Sequence, residues 1–476
     1  MGSTIAYYIW LAFFWYAVIA SIWVILQENR SPVRAIAWIL VLIFMPVVGL
    51  VFYYIFGRSG FHQGRIARKI RQQIARQQLP ALRHTQIAKD NDLLLKYRRL
   101  IQLLTSCSDA PLFGNNRVEI FVDGRLLLEA MVNDIEKADN HIHVEYFILE
   151  DDRTGTRFIE ALIRKALEGV EVRIIYDGLG SMHLKYSTLK RMREAGIKFK
   201  SFGRVRFPFF TGKLNYRNHR KILLVDGKVA YLGGFNIADR YTDGLQWGVW
   251  RDTHIRFQGD AVAGTQYIFL TDWLGVTGKL HKTSRFFPVS PMETRTHMQV
   301  VRSGPDRDWQ TIMLGFCEAI YSAQHSIDIQ TPYFLPNESV LNALQTAAMS
   351  GVQVRVMLPS RSDSRLSYAA SMSYMETLMA SGVRVYLFEK GFIHAKTLVV
   401  DNDLTIVGSA NMDYRSFEQN FEVSAFIYDE DLAWRMHENF TSDLRVSRRL
   451  HPKAWTHRPR WKRLVQSIAR LFSPIL

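Results

Sequence analysis

Two long apolar segments, residues 5–26 and 35–56, stand near the start of the chain, and neither contains a charged residue. Each exceeds the roughly 20 residues that cross a bilayer as a helix. Tyrosine and tryptophan cluster toward their ends, as in the interfacial belts of membrane helices. Pro46 and Gly49 interrupt the second segment, but membrane helices tolerate both. The pattern predicts a transmembrane hairpin over residues 1–57.

Two other structures would give apolar segments of this kind. One is a cleaved signal peptide, but the first segment is long for that role and has no basic start. The other is a buried pair of core helices. We favour the hairpin because the segments match the length and the aromatic ends of membrane helices.

The charge pattern after the hairpin predicts its orientation. Basic residues follow the second apolar segment, and the first acidic residue after it is Asp90. The positive-inside rule therefore places the rest of the chain in the cytoplasm. Residues 58–110 are predicted to form a polar, helical juxtamembrane stalk. Its basic side chains would either hold anionic lipid head groups or simply be solvated.

From about residue 111 the chain is an internal repeat of roughly 180 residues. The segment EGVEVRIIYD at 168–177 matches SGVQVRVMLP at 350–359, and AGIKF at 195–199 matches SGVRV at 381–385. The rhythm of helix, glycine turn and apolar strand is typical of α/β proteins. We therefore predict two pseudo-symmetric α/β halves, at residues 111–285 and 286–447.

The polar positions beside two predicted strands repeat with the halves. In the second half His394, Lys396 and Asp401 form an H-x-K-x4-D pattern, which precedes and follows the apolar run 397–400. Gly408, Ser409 and Asn411 come next, and Glu422 follows. Residues two apart on a strand share a face, so the imidazole and the ammonium lie side by side. That pair suits attack on an anion, although a single H-x-K would also fit a solvent-facing strand.

The first half contains the same pattern. It consists of His219, Lys221, Asp226, Gly233, Gly234 and Asn236. A double match at this spacing is improbable by chance. Gly234 stands where the second half has Ser409, so the first motif lacks one hydroxyl donor.

The first half also contains an insertion near residues 202–215, because the two motif histidines lie 175 residues apart whereas earlier landmarks lie about 185 apart. The insertion mixes basic and aromatic residues: Arg204, Arg206, Lys213, Phe207, Phe209 and Phe210. We predict a loop at the mouth of the site that contacts lipid head groups. An ordinary loop with a packed aromatic cluster is the alternative.

The tail, residues 448–476, is basic and amphipathic. Residues 444–476 hold nine Lys and Arg and no acid. Apolar residues at helical spacing form one face: Trp461, Leu464, Val465, Ile468 and Leu471. Such a helix can lie in a membrane interface, or it can dock on the domain.

The overall charge limits the class of partner. The formal net charge is +16, from 60 Lys and Arg against 44 Asp and Glu. This excess favours a polyanion, either nucleic acid or an anionic membrane surface, and charge alone does not choose between them. The two cysteines, Cys107 and Cys317, imply no disulfide framework, which fits a reducing compartment.

The paired motifs resemble the twin HKD motifs of the phospholipase D superfamily. With the apolar N-terminal segments, nearly the whole chain resembles bacterial cardiolipin synthases, which implies a multi-pass protein of the inner membrane. The resemblance implies two phospholipase D-like halves, each a mixed sheet flanked by helices, that share one site. One imidazole attacks phosphorus and the other protonates the leaving alkoxide.

The resemblance also implies roles for the other residues. Lys221 and Lys396 balance charge on the phosphate, assisted by Asn236, Ser409 and Asn411. Asp252 and Glu422 orient the imidazoles, whereas Asp226 and Asp401 brace the site. The substrates are two phosphatidylglycerols, and the products are cardiolipin and glycerol. No metal or other cofactor is expected. The nucleophile stays open, with family precedent favouring His219.

Three other functions share these motifs. A phospholipase D or another phosphatidyltransferase would differ only in its acceptor. An HKD nuclease would suit the charge, but the apolar segments and the aromatic-basic loop argue against nucleic acid. A catalytically dead scaffold is disfavoured because both motifs contain the histidine, the lysine and the aspartate. The sequence leaves the oligomeric state and the acyl-chain preference open.

Overall fold

A computed structural model describes residues 2–27, 32–53, 91–203, 216–279, 284–288, 292, 294 and 296–476. The described residues divide into two compact units, one with residues 2–53 and one with the residues from 91 onward. Most of the predicted stalk (residues 58–90) and of the predicted lipid-contact loop (204–215) lies outside the described residues. Arg204, Arg206, Phe207, Phe209 and Phe210 fall in that loop.

The first unit contains three described helices: α1 (Gly2–Gln27), α2 (Pro32–Phe44) and α3 (Pro46–Phe52). Within the described residues, α1 is the one helix that is long and apolar enough to cross a membrane, and most of it is not buried in the protein. Val18 and Ile25 of α1 are buried together with Leu42 and Tyr53. The second apolar segment therefore packs on the first.

The second apolar segment is not the continuous helix predicted over 35–56. Met45 has φ −135° and ψ 62°, outside the helical region, and α3 begins at the next residue. Pro46 causes this break because its ring disfavours a helical conformation in the residue before it and it has no N–H to donate. The segment consists of two shorter helices instead.

The second unit begins with two helices, and its first half follows. The elements in chain order are α4 (Asp92–Lys96), α5 (Arg98–Ser108), β1 (Phe113–Phe121), α6 (Gly124–Glu136), β2 (His141–Tyr146), α7 (Arg153–Leu167), β3 (Glu171–Asp177), α8 (Tyr186–Glu194), β4 (Lys198–Phe202), β5 (Ile222–Val225), β6 (Val229–Gly233), α9 (Asp239–Asp243), β7 (Val249–Arg251), β8 (His254–Gly259) and α10 (Ala261–Thr277). A short 3₁₀ turn, Ser284–Phe286, comes before the second half.

The second half repeats this order and ends in the tail. Its elements are β9 (Thr296–Ser303), α11 (Thr311–Tyr321), β10 (Ser326–Gln330), β11 (Phe334–Leu335), α12 (Glu338–Met349), β12 (Gln353–Pro359), α13 (Arg365–Ser373), α14 (Met375–Ala380), β13 (Arg384–Phe388), β14 (Gly391–Ile393), β15 (Thr397–Val400), β16 (Leu404–Gly408), β17 (Met412–Asp413), α15 (Tyr414–Glu418), β18 (Glu422–Tyr428), α16 (Glu430–Leu444), β19 (Ser447–Arg449), α17 (Pro452–Thr456) and α18 (Arg460–Leu471).

One mixed sheet runs through both halves. Among the described strands its order is β4-β3-β2-β5-β6-β8-β1-β9-β18-β16-β15-β10-β12-β13-β19. Strands β1 and β9 pair antiparallel at the centre, and the strands on either side of them follow in corresponding order. In each half three neighbouring strands are parallel: β2, β3 and β4 in the first and β10, β12 and β13 in the second. This confirms the predicted α/β fold with two pseudo-symmetric halves.

The sequence explains the strands and helices locally. Strands β5 and β15 are buried along their whole length because helices cover the sheet, so they are near-continuous apolar runs. Several helices begin at an aspartate whose carboxylate accepts a backbone N–H of the first turn. Asp123 accepts from Arg125 and Leu126, and Asp429 accepts from Leu432.

The described end of the predicted stalk belongs to the core instead. Leu100, Ile101 and Leu104 of α5 are buried in the same cluster as Ile312 and Phe316 of α11. Helix α5 presents an apolar stripe at helical spacing, and burying that stripe is favourable. The structure thus corrects the prediction of a polar stalk for residues 92–108.

The tail docks on the second half, but the apolar face of its helix α18 stays uncovered. Ala469 is buried, the Arg470 guanidinium lies 4.2 Å from the centre of the Tyr374 ring, and Arg458 pairs with Glu376 at 3.0 Å. Five apolar residues of α18 stay exposed: Trp461, Leu464, Val465, Ile468 and Leu471. Docking therefore uses a different face of the helix from the one predicted to meet a membrane.

Candidate active site

The two motif histidines lie at equivalent places in the two halves. His219 and Lys221 directly precede β5, whereas His394 follows β14 and Lys396 precedes β15. Strands β5 and β15 hold corresponding positions in the sheet. Both lysines are fully buried and both imidazoles are almost so, with side-chain exposures of 12% for His219 and 9% for His394.

Each imidazole is held by a carboxylate from the other half. Nδ1 of His219 lies 2.9 and 3.0 Å from the two carboxylate oxygens of Glu422, and Nδ1 of His394 lies 2.6 Å from Oδ2 of Asp252. A carboxylate accepts, so Nδ1 donates and Nε2 carries the lone pair. The predicted pairing of acids with imidazoles is thus present in the geometry, and it crosses between the halves.

Backbone pairing between the halves produces this crossing. Strands β14 and β7 pair in parallel, with Ile393 opposite Arg251, and the N–H of His394 donates to the carbonyl of Arg251 at 2.7 Å. On the other side Asn218 bridges to Phe421, and the N–H of His219 donates to the carbonyl of Phe421 at 3.0 Å. Ile393, just before His394, therefore lies beside Arg251, just before Asp252. In the same way Asn218, just before His219, lies beside Phe421, just before Glu422.

The two imidazoles differ in what their Nε2 atoms meet. Nζ of Lys396 lies 2.7 Å from Nδ1 and 3.0 Å from Nε2 of His394. Because Nδ1 already donates to Asp252, Nε2 is the nitrogen that can accept from this lysine. Nζ of Lys221 donates to the carbonyl of His219 at 2.5 Å. Nε2 of His219 has no hydrogen-bond partner among the described residues.

Burial sets the protonation of the site. It lowers the pKa of His219 and of His394 to about 4, although the facing carboxylates oppose the shift. Burial also lowers the pKa of Lys221 to about 7 and that of Lys396 to about 8. Both imidazoles are therefore neutral at pH 7, and the lysines are partly protonated.

The two carboxylates stay ionised despite their burial. Burial alone would raise the pKa of Asp252, but Lys396 and His394 hold it below its usual value. The pKa of Glu422 is likewise lowered, because His219 and Lys221 outweigh the effect of burial. Ionised carboxylates are the partners that keep the hydrogen on Nδ1 of each imidazole.

Ser409 meets a carboxylate rather than an open anion site. Its hydroxyl donates to Oε2 of Glu422 and accepts from the N–H of Val423 at 3.0 Å. The sequence predicted a phosphate donor here, but this oxygen is engaged in holding Glu422. At the equivalent Gly234, a Cβ would lie 2.0 Å from Oδ1 of Asp252. The first motif therefore lacks a hydroxyl because Asp252 occupies that space.

The two asparagines predicted to bind phosphate are also partly engaged. The Asn236 amide donates to the hydroxyl of Tyr241 at 2.7 Å and accepts from the N–H of Ile148 at 3.1 Å. The Asn411 amide donates to Asp413 at 3.0 Å. One amide hydrogen of each side chain remains for a substrate oxygen.

The motif aspartates lie away from the imidazoles, at the far ends of β5 and β15. Asp226 accepts three backbone N–H groups, from Asp139, Asn140 and His141, at 2.8–2.9 Å. Asp401 accepts from Gln324, His325 and Ser326 at 2.7–2.8 Å and pairs with Lys96. Each fixes the segment that enters the neighbouring strand, which is a bracing contact.

The sequence analysis missed two polar groups that hold the motif segments. Arg220 is fully buried; it pairs with Asp272, and its Nε donates to the carbonyl of Glu422 at 3.1 Å. Arg251, next to Asp252, pairs with Asp443 at 2.9 Å. Arg220 lies between the motif histidine and lysine, so the alternation of strand faces could have signalled that it points away from them.

An aromatic wall around the imidazoles was also missed. The ring of His394 lies 5.0 Å from Trp250 and 5.7 Å from Phe392, and the ring of His219 lies 5.1 Å from Phe147. Apolar neighbours of this kind desolvate the imidazoles, which is consistent with their lowered pKa values. No group of three or more His, Cys, Asp or Glu side chains in the described part of the chain could hold a metal ion.

Comparison with known proteins identifies the family. Residues 131–246 and 316–444 match the family described as "Cardiolipin synthase, PLD-like domain", and residues 17–58 match "Phospholipase_D-nuclease N-terminal". The chain is 41% identical over 457 residues to a cardiolipin synthase of Listeria monocytogenes serotype 4b, covering 94% of this chain and 95% of the relative. It is 41% identical over 475 residues to the major cardiolipin synthase ClsA of Bacillus subtilis strain 168, covering 98% of both chains.

A solved structure supports the fold. The crystal structure of phosphatidylserine synthase from Haemophilus influenzae Rd KW20 superposes with a TM-score of 0.61 at 14% identity, over 80% of this chain and 100% of that one. The apolar N-terminal helix and the bacterial relatives together indicate a membrane protein that acts on phospholipids. The chain belongs to the cardiolipin synthase family of the phospholipase D superfamily and is a phosphatidyltransferase.

Proposed function

We propose that the protein transfers a phosphatidyl group from one phosphatidylglycerol to a second, giving cardiolipin and glycerol. The observation that carries this proposal is the pair of imidazoles, each held through Nδ1 by a carboxylate of the other half. One imidazole with a free lone pair and a second that becomes protonated beside a bound phosphate, with lysines next to both, suit a double displacement at a phosphodiester. The first displacement makes a phosphatidyl-enzyme, and the second passes the group to the acceptor.

His219 is the nucleophile in this proposal. Its Nε2 has no partner among the described residues, whereas Nε2 of His394 meets Lys396 at 3.0 Å. The lone pair of His219 attacks phosphorus, a P–N bond forms, and the bond from phosphorus to the glycerol oxygen breaks. The glycerol oxygen takes its proton from Nε2 of His394. The negative phosphate favours the protonated imidazole, which offsets the low pKa that burial gives His394.

The second step reverses these roles. His394 takes the proton from the terminal hydroxyl of the acceptor lipid, whose oxygen attacks phosphorus as the P–N bond breaks. His219 leaves with its lone pair restored. One phosphodiester is exchanged for another, so no nucleotide is consumed. Lys221 and Lys396 stay close to the phosphate oxygens in both steps and balance their charge.

The membrane arrangement belongs to the same proposal. We propose a multi-pass protein of the bacterial inner membrane with its catalytic unit in the cytoplasm, supported by the two apolar segments and the basic residues that follow them. Its partners are phosphatidylglycerol and other anionic lipids. The basic and aromatic loop, with Arg204, Arg206, Phe207, Phe209 and Phe210, contacts their head groups. No nucleic acid is expected to bind productively.

Purified full-length protein tests the function directly. Incubated with phosphatidylglycerol it should form cardiolipin and glycerol in the presence of EDTA, and it should leave DNA intact. Formation of phosphatidic acid alone would indicate a phospholipase D, and cleavage of DNA a nuclease. A strict requirement for a divalent metal would contradict the chemistry proposed here.

Two variants test the mechanism. His219→Ala and His394→Ala should each lower turnover by at least about a thousandfold, since groups that act as a unit fail together. The matched control is His437→Ala, because His437 lies on α16, pairs with Asp328 of β10 and takes no part in the proposed reaction. A label from the phosphatidyl group that resists alkali and is lost in acid should appear on the wild-type chain and not on His219→Ala. Near-normal synthesis by either alanine variant of the motif histidines would rule out the two-histidine mechanism.

A further inference from the structure

Two arginines beside the candidate active site lack the partners that buried cations normally have. Arg217 is 5% exposed, and its Nε and Nη1 are buried without a hydrogen-bond partner. The side chain of Arg415 is partly exposed, and it makes no hydrogen bond or ion pair within the described ranges 91–203, 216–279 and 296–476. Buried guanidinium nitrogens without a hydrogen-bond partner are costly, so those of Arg217 call for an explanation.

Backbone contacts place both arginines next to the histidine and glutamate segments. The carbonyl of Arg217 accepts from the N–H of Phe421 at 2.9 Å, one residue before Glu422. The carbonyl of Arg415 accepts from the N–H of Asn420 at 2.8 Å. Arg217 is also two residues before His219 along the chain. The two arginines therefore flank the segment that delivers Glu422 to its imidazole.

The nearest acids are already occupied by other donors. Oδ1 of Asp177 accepts from the N–H groups of Leu179 and Gly180, and Oδ2 accepts from Asn218. Arg217 Nη1 lies 3.7 Å from that carboxylate, beyond hydrogen-bond distance. Asp413 accepts from the N–H of Ser416 and from Asn411. Neither carboxylate neutralises a guanidinium through a direct hydrogen bond.

The positive charges of Arg217 and Arg415 also repel each other. Burial lowers the pKa of Arg415, and the positive charge of Arg217 lowers it further, against the opposing effects of Asp413, Asp177 and Glu422. Two like charges on segments that hydrogen-bond to the adjacent residues Asn420 and Phe421 favour an anion between them. A guanidinium is also the side chain best suited to bind a phosphate through two hydrogen bonds.

The proposed reaction brings two phosphates to one site. The phosphate that reacts lies between the two imidazoles and the two lysines. The acceptor lipid adds a second negative phosphodiester, separated from its attacking hydroxyl by a three-carbon head group. A phosphodiester bound beside Arg217 and Arg415 would lie near Glu422, Asp413 and Asp177, so it would need both cations to offset the repulsion of these acids.

We propose that Arg217 and Arg415 form an anion subsite for the phosphodiester of the acceptor lipid. The subsite aligns the terminal hydroxyl of the acceptor with the phosphatidyl-enzyme, and it gives an anionic lipid an advantage over water or a neutral alcohol. The inference rests on the proposed function, because it assumes a second phosphatidylglycerol as the acceptor.

Two reactions of the same intermediate separate the acceptor subsite from the rest of the site. Cardiolipin formation uses the anionic acceptor. Exchange of labelled free glycerol into phosphatidylglycerol uses a neutral acceptor and needs the same phosphatidyl-enzyme. Both are measured on the full-length protein in mixed micelles that contain phosphatidylglycerol, so that each variant yields a ratio of the two rates.

Arg217→Gln and Arg415→Gln should each lower cardiolipin formation at least tenfold more than glycerol exchange. The loss should appear as a raised KM for phosphatidylglycerol as acceptor, and Arg→Lys at either position should restore part of the ratio. The control is Arg164→Gln, which removes an exposed arginine paired with Glu136; it should leave the ratio of the rates as in the wild type.

Several results would overturn the subsite. It is wrong if the two reactions fall equally in the glutamine variants, if neither falls, or if the lysine variants show no recovery of the ratio. These outcomes are distinct from failure of the proposed function, because in that case the wild type itself would form no cardiolipin from phosphatidylglycerol.

Discussion

At the scale of single residues, the site depends on which nitrogen of each imidazole is free. Glu422 and Asp252 each accept a hydrogen from Nδ1, which leaves Nε2 for chemistry. Burial keeps both imidazoles neutral, with pKa values of about 4. It also lowers the pKa of Lys221 to about 7 and that of Lys396 to about 8. The charge of the two lysines should therefore change with pH near neutrality.

The lowered pKa values predict how activity depends on pH. The nucleophile works unprotonated, so kcat/KM should fall as pH drops toward about 4, the pKa of His219. His394 works protonated in the first step, so the bound phosphate has to raise its pKa above about 4, which the negative charge favours. The lysines work protonated, so kcat/KM should also fall as pH rises through about 7 to 8, the pKa range of Lys221 and Lys396. A bound phosphate favours charged lysines, so the alkaline limb of kcat should lie at higher pH. Values of kcat/KM that keep rising above pH 8 would contradict this.

The difference between Gly234 and Ser409 gives a second prediction at this scale. Gly234→Ser would place a Cβ 2.0 Å from Oδ1 of Asp252 and push that carboxylate off His394. We expect kcat to fall about 10²- to 10⁴-fold, as when a group that orients a catalytic imidazole is disabled. Gly275→Ser is the control, since a Cβ there meets nothing within 4 Å. Equal activity of the two variants would show that the position of Asp252 is not critical.

At the scale of elements, short strand pairings matter more than their length suggests. The three-residue strands β14 and β7 carry Ile393 and Arg251 into register, and a single bridge joins Asn218 to Phe421. These two contacts bring Glu422 of the second half to His219 of the first, and Asp252 of the first half to His394 of the second. The tail helix α18 is a second informative element, because it is held by Arg470 and Ala469 while its apolar face stays exposed.

We predict that the exposed face of α18 contacts the membrane. The double variant Leu464→Ser with Ile468→Ser removes two apolar side chains from a helix flanked by basic residues, so interfacial binding should weaken. Activity on vesicles rich in anionic lipid should fall several-fold, whereas activity in detergent micelles should stay near the wild-type value. The matched control is Leu167→Ser, an exposed leucine at the end of α7. A similar loss in vesicles and micelles would mean that the face has another role.

At the scale of the whole molecule, the catalytic unit works only as a pair of halves. The central pairing of β1 with β9 joins the two halves into one sheet. The histidine of each half donates a hydrogen bond to a carboxylate of the other half. A phosphohistidine would also react with water, so exclusion of water decides between synthesis and hydrolysis. A lipid acceptor is available only at the membrane plane, where tethering raises its effective concentration.

The loop predicted near residues 202–215 is a candidate water barrier. Replacing Phe207, Phe209 and Phe210 together with Ser should raise the ratio of phosphatidic acid to cardiolipin more than it changes phosphatidylglycerol consumption. The measurement is product analysis from labelled phosphatidylglycerol in vesicles. A drop in consumption at a fixed product ratio would instead mark the loop as a binding or folding element.

The sequence by itself determined the repeat, the α/β class and the motif residues. Strand alternation put each histidine beside its lysine, and periods of apolar residues predicted the strands, because these properties depend on near neighbours along the chain. Local pattern also predicted an apolar hairpin, although Pro46 divides the second segment at Met45. The apolar stripe of α5, with Leu100, Ile101 and Leu104 at helical spacing, could have predicted its burial, but the basic residues before it favoured a polar stalk.

Only the tertiary structure decided how the two halves exchange partners. Asp252 and His394 lie 142 residues apart, and Glu422 and His219 lie 203 apart, so no local pattern relates them. The same is true of Ser409, whose hydroxyl meets Glu422, and of Gly234, whose missing side chain makes room for Asp252. The buried Nε and Nη1 of Arg217, which have no hydrogen-bond partner, and the position of Arg415 became visible only once folding had brought both segments next to Phe421. Such contacts join distant segments, and the energy of burying charge is set by everything that surrounds it.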